Sequence, residues 1–287
     1  MENNNWTPPK AANRLVRIVE AVSLANQSDR FPVNVVDLAL EAATIFNWSD
    51  RISEVRAADI KGFEGALFPN DGKQEWLLLY NSGLKSQGRI RFTQAHELGH
   101  YILHRMLKDS FQCSDADMLN WSKDELDLEA QADLFASYLL MPLNDYRTQL
   151  PSIVDLDALS HCAERYGVSL TAAILKWLDY TEEKAVLVIS KDGYIDWAWS
   201  SDSALKSGAF FKTKNNVIPL PKDSLAANSS INNERKGQTI PATVWFKHAE
   251  PLLPIREMKI YAEQYDYVIT LLCLSRQANV WPPWHTT

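Results

Sequence analysis

Cysteine is scarce in this chain of 287 residues: Cys113, Cys162 and Cys273 are an odd number and lie far apart. They cannot make a disulfide framework, and they fit a reducing, cytoplasmic setting. Long apolar runs are lacking too. A run such as Tyr267 to Leu274 (YVITLLCL) falls far short of the roughly 20 residues that span a bilayer, so no membrane partner is expected. The N-terminal MENNNWTPPK has no basic stretch leading into an apolar segment, and no signal peptide is expected. No internal repeat or long low-complexity tract appears. Net basic charge is missing as well, the formal charge being −7. Acidic residues dominate up to residue 184 and a slight basic excess follows, too small to argue for nucleic acid by itself.

What is present is ordinary for a folded protein: 46% hydrophobic and 23% charged residues supply a core and a solvated surface. Residues 11–26 and 35–46 carry apolar positions at helical spacing. Residues 59–68 and 76–80 read as strands around the turn-forming PNDGK. After polar NSGLKSQGR, a helix is expected from about Thr93 to Leu107, followed by a polar loop, KDSFQCSDADMLNW. Ser122 with Glu125 fits a capping box that opens the next helix, DELDLEAQADLFASYLL, which must end before Pro142. Helices over 155–166 and 170–179 come next. Beyond Thr181 the texture changes: KAVLVIS, YIDWAWS, TIPATVWFK and YDYVITLLCL read as strands, with Asp192-Gly193 as a turn and 223–238 as a long loop. The expected fold class is α+β, with a mostly helical domain carrying a small sheet over residues 1–181 and a β-rich domain over 182–287.

The chemistry lies in RFTQAHELGHYILH, residues 91–104. Residues four apart share a helix face, so His96 and His100 can aim imidazole nitrogens at one ion, with Glu97 able to reach a water bound there. His104 cannot join them, because the helix carries it about 12 Å from His96 at roughly 1.5 Å per residue. A third ligand must come from another element. EAQAD supplies it: Glu129 completes a His, His, Glu set that leaves a fourth tetrahedral place open. Asp133, one turn on, is spaced to hold the far nitrogen of a ligand histidine. Zn2+ in such a set would activate water, with Glu97 as the catalytic acid–base. Tyr101, His104, Tyr138 and His161 are candidates to steady the oxyanion. The Cys113 thiolate would be an inhibitory fourth ligand if it filled the open place.

RFTQAHELGHYILH followed by EAQADLFASYLLMP resembles the ImmA/IrrE-type metallopeptidases, whose pattern is Arg-Phe-Thr, HELGH, then Glu before Ala-Asp-x-Phe-Ala-x-x-Leu-Leu-Met-Pro. The likeness covers about residues 30–180. It implies a zincin-like fold, metal ligands at His96, His100 and Glu129, and the base at Glu97. It also implies a limited cut in a helix-turn-helix repressor that derepresses genes after DNA damage or phage challenge, as in anti-phage operons such as CBASS. The family often carries a GAF-like sensor domain after the peptidase, so 182–287 is expected to regulate.

Five of the ten tryptophans (Trp197, Trp199, Trp245, Trp281, Trp284) fall in that C-terminal part, beside Lys212, Lys214, Lys247 and Arg256. Stacking and charge make single-stranded DNA a candidate activator there. The rival from another class is a DNA-binding transcriptional regulator with a non-catalytic metal site, read from LSHCAERYGVSLTAAILKWL as a helix-turn-helix. Its second helix offers one lysine and no arginine, poor equipment for phosphates.

Overall fold

The structure, a computed structural model, describes residues 6–59, 62–84, 86–107, 111–113 and 123–282. They pack as two compact units, Met1–Gln149 with Cys162–Ser169, and Leu150–His161 with Leu170–Thr287.

The first unit opens with α1 (Pro8–Asn26) and α2 (Val35–Phe46). The bounds of α2 follow its chemistry: the Asn34 side chain accepts from the Asp37 amide, and Asn47 closes the helix in the left-handed conformation that asparagine tolerates. A four-stranded sheet follows, in the order β1-β3-β2-β4, from β1 (Arg51–Ala58), β2 (Gly65–Pro69), β3 (Glu75–Asn81) and β4 (Phe111–Cys113). β1 pairs parallel to β3, and the other pairs are antiparallel. β1 was not expected. RISEVRAA is rich in charge because it is an edge strand in which Ile52 alone is buried. Of the strand expected over 59–68, residues 65–68 lie in β2, which runs on to Pro69. Cys113 was expected in a polar loop, whereas its backbone closes β4, opposite Gly65.

Between β3 and β4 runs α3 (Gln87–His104), which starts six residues before the expected Thr93 because Ser86 caps it, accepting from the Arg89 amide. Helix α4 (Lys123–Leu140) stops ahead of Pro142, and α5 (Leu143–Tyr146) follows. The capping box at Ser122 and Glu125 lies outside the described residues and side chains. Leu15, Ile52, Leu67, Trp76, Leu78, Leu98, Tyr101, Phe135 and Leu139 form the core. At its centre α3 crosses α4: a methyl group at Gly99 would stand 3.0 Å from Phe135 Cδ1 and 3.3 Å from the Ala132 backbone. Two small residues thus let the helices approach closely.

α6 (Leu156–Tyr166) gives its last turn to the first unit and its beginning to the second, which also holds α7 (Leu170–Leu178). There a six-stranded antiparallel sheet runs β7-β6-β5-β10-β9-β8. Its strands are β5 (Lys184–Lys191), β6 (Tyr194–Ser200), β7 (Ile218–Pro219), β8 (Asn233–Pro241), β9 (Pro254–Ala262) and β10 (Tyr267–Leu274), with the short α8 (Asp202–Lys206) after β6. The β-rich expectation holds, with corrections: β7 and β9 were not expected. The expected loop over 223–238 ends in β8, and TIPATVWFK leaves the sheet after Pro241 in a 3-10 turn, Ala242–Val244. That turn lets Trp245 enter the core, where its indole N–H donates to the buried Glu257 carboxylate at 2.9 Å. Trp245 and Phe211 therefore pack inward, whereas Trp199 and Trp281 stay about half exposed. Among the described residues no helix is long and apolar enough to cross a membrane.

Candidate metal centre

The α3–α4 crossing sets the site. Gly99 lies between His96 and His100, and Ala132 lies between Glu129 and Asp133, so the point of closest approach brings both ligand pairs face to face. His96 Nε2 and His100 Nε2 are 3.0 Å apart, and Glu129 Oε2 lies 2.9 Å from the first and 3.3 Å from the second. Atoms bound tetrahedrally at about 2.1 Å from a zinc-sized ion sit about 3.4 Å from one another, close to these spacings. Two imidazoles and a carboxylate converging on one point therefore fit a divalent cation.

The surroundings tune each group. Burial pushes the Glu129 carboxyl up, but hydrogen bonds with His100 and His96 outweigh it and hold Glu129 below the usual carboxylate range, ionised as a ligand must be. Burial pulls His100 down, favouring the neutral imidazole that binds metal. Asp133 Oδ1 stands 2.8 Å from His96 Nδ1, the orienting place expected of it. Phe111 of β4 stacks on the His100 ring at 4.5 Å between centroids. Glu97 is fully buried, and neither of its oxygens has a hydrogen-bond partner among the described residues. Its burial raises the pKa to about 8, with His96 drawing it back and Glu129 adding to the rise. A strand glycine makes room for it: a methyl group on Gly65 would fall 2.6 Å from Glu97 Oε1.

The other candidates scatter. The Tyr101 hydroxyl donates to the Asp50 carbonyl at 2.7 Å, inside an aromatic cluster with Trp48 and Trp76. His104 is buried, its Nδ1 3.0 Å from His100 Nδ1, so it stands behind a ligand rather than over the open place. Tyr138 is half-buried on α4 and His161 is exposed on α6. The Cys113 side chain lies outside the described ones. Gly65 and Phe111 had no signal in the sequence, and Gly99 and Ala132 stood inside the quoted motifs without a role, since close approach and stacking appear only when elements meet.

Paired imidazoles on one helix, a carboxylate from the next and a buried carboxyl beside them make up the side-chain set of a metallopeptidase. Residues 51–178 match the family model of the IrrE N-terminal-like domain, Peptidase_M78, which supports a peptidase of the ImmA/IrrE type. A solved structure described as a Mycobacterium tuberculosis transcriptional regulator is similar to the chain with a TM-score of 0.47 and 14% identity, covering 91% of this chain and 87% of that one. No curated protein matches the chain.

Proposed function

We propose that this protein is a zinc-dependent endopeptidase that makes a limited cut in a helix-turn-helix repressor, releasing stress or anti-phage genes. The observation that carries the enzymatic part is the convergence of His96, His100 and Glu129 beside the buried, unpartnered Glu97. The repressor as substrate rests on the family match alone.

Zinc, when bound, would acidify a water molecule and polarise the scissile carbonyl. Glu97 accepts the proton of the attacking water and passes it to the leaving nitrogen. Burial raises its affinity for that proton, and a cation held by the neighbouring ligands would lower it again, leaving the carboxylate ionised to accept it. Asp133 fixes the ring of His96, and the Gly99–Ala132 crossing keeps Glu129 in reach.

Control through the C-terminal unit, with single-stranded DNA as ligand, belongs to the same proposal. Trp199 and Trp281 are exposed for stacking, whereas Arg256 is already bonded to the carbonyls of Val154 and Lys236. Absence of oligonucleotide binding by the full chain would remove that part.

The main test is co-expression of the chain, or its Glu97→Gln variant, with the product of the neighbouring gene. The wild type is expected to yield a zinc-dependent fragment. The variant should keep its zinc by metal analysis and cut about 10²–10⁴-fold more slowly. Undiminished cleavage by the variant would sink the mechanism.

A further inference from the structure

A second site lies on the same helix, on a different face. A cavity of about 260 Å³ opens beside the first two turns of α3, lined by Tyr80, Ser82, Gln87, Ile90, Arg91 and Gln94. Its chemistry is one-sided. Five of these six side chains carry a hydrogen-bond donor, and none is acidic. Gln94 is only 8% exposed, yet its amide has no hydrogen-bond partner among the described residues. The Tyr80 and Ser82 hydroxyls and the Gln87 amide are equally unengaged there. The Gln94 amide is not sealed from solvent, so its donor and acceptor stay open to a guest that enters the cavity.

Arg91 supplies the charge. Its guanidinium donates to the Gly167 carbonyl and makes no ion pair with a carboxylate among the described residues, and partial burial draws its pKa down. The cavity also flanks the first two turns of an 18-residue helix, whose positive dipole end favours negative charge nearby. Its size decides the kind of guest. A cavity of about 150 Å³ accommodates benzene, so this one holds more than a bare ion.

We propose that this cavity binds a small molecule through an anionic oxygen group, phosphate or carboxylate, held by Arg91 and Gln94 and ringed by Gln87, Tyr80 and Ser82. The site does not rest on the peptidase reading. It does lie close to it: Tyr80 pairs with Gly65 across β3 and β2, and Gly65 abuts Glu97. A guest there would press on the strand that walls the buried carboxyl.

Calorimetric titration of the full, metal-free chain with inorganic phosphate and with acetate, against matched sodium chloride, tests the proposal. Saturable binding of one ion per chain is expected, phosphate binding more tightly if the natural group is a phosphoryl and acetate if it is a carboxylate. Arg91→Gln and Gln94→Leu should each weaken it tenfold or more, and His96→Ala should leave it unchanged. Should Arg91→Gln fail to fold, Gln94→Leu and Tyr80→Phe decide. The proposal is overturned if neither ion binds beyond the chloride control. Binding that survives in folded Gln94→Leu and Tyr80→Phe, or that vanishes in His96→Ala, overturns it equally.

Discussion

A metal-binding histidine must keep its lone pair on the ligating nitrogen, and so carry its proton on the other. With His100 as a ligand through Nε2, that proton would sit on Nδ1, which faces His104 Nδ1 at 3.0 Å. His104 then has to accept at Nδ1 and hold its own proton on Nε2. Burial, and next the neighbouring His100, pull the His104 pKa down to about 4, so it stays neutral in this role. Removing the acceptor in His104→Leu should weaken metal binding about 10–100-fold in a chelator competition. His104→Asn places an amide oxygen near the lost nitrogen and should restore most of it. Equal losses in the two variants would reduce His104 to packing. The sequence displayed His104 four residues after His100 but left its job open, since the pairing depends on ring rotation. Gly65 was more obscure still: its value is the side chain it lacks beside Glu97.

Among the elements, the helices were the most legible. The apolar spacing and asparagine caps of α2 state its bounds, and Pro142 states the end of α4. Strands β1 and β4 were hidden because an edge strand buries little and β4 has three residues. Strand β9, PIREMKIYA, was missed because buried Glu257 and Lys259 break its apolar run, and their partners come from distant loops: Trp245 and the Ala226 amide for one, the Asn228 carbonyl for the other. Helix α7 carries a testable cost. Burial lowers the Lys176 pKa from 10.5 to about 8, against the pull of Asp179. Between those values the unfolded chain binds more protons than the native one. The ammonium's penalty is therefore full below pH 8 and relieved as pH rises toward 10.5. Lys176→Met should be more stable than wild type by roughly 2–3 kcal/mol at pH 7, with the gap closing toward pH 10.5 in urea melts. A gap independent of pH would show that the amine is not the cause.

For the whole molecule, one unit holds the helices that bring His96, His100 and Glu129 together and the other holds the six-stranded sheet. The first unit ends at Gln149 with Cys162–Ser169, so α7 falls with the sheet and not with the helical part that the sequence reading ended at 181. A cation bound only by the folded state stabilises it by mass action, about 2.7 kcal/mol at a hundredfold excess over Kd. Chelation is therefore expected to lower the melting temperature, and zinc to restore it, in wild type and Glu97→Gln alike. Chelation should have no such effect in His100→Ala. A melting temperature indifferent to chelator in the wild type would mean that the three ligands hold no ion in solution.

The sequence by itself determined the imidazole pair and its neighbouring glutamate, because a helix fixes side chains four residues apart whatever surrounds it. It also placed Glu129 and Asp133 on one face of a second helix for the same reason. Only the tertiary structure decided that these faces meet, that Glu97 is buried without a hydrogen-bond partner among the described residues, and that His104 stands behind His100. Those facts depend on how closely two helices and a strand can approach at Gly99, Ala132 and Gly65, which no local periodicity records.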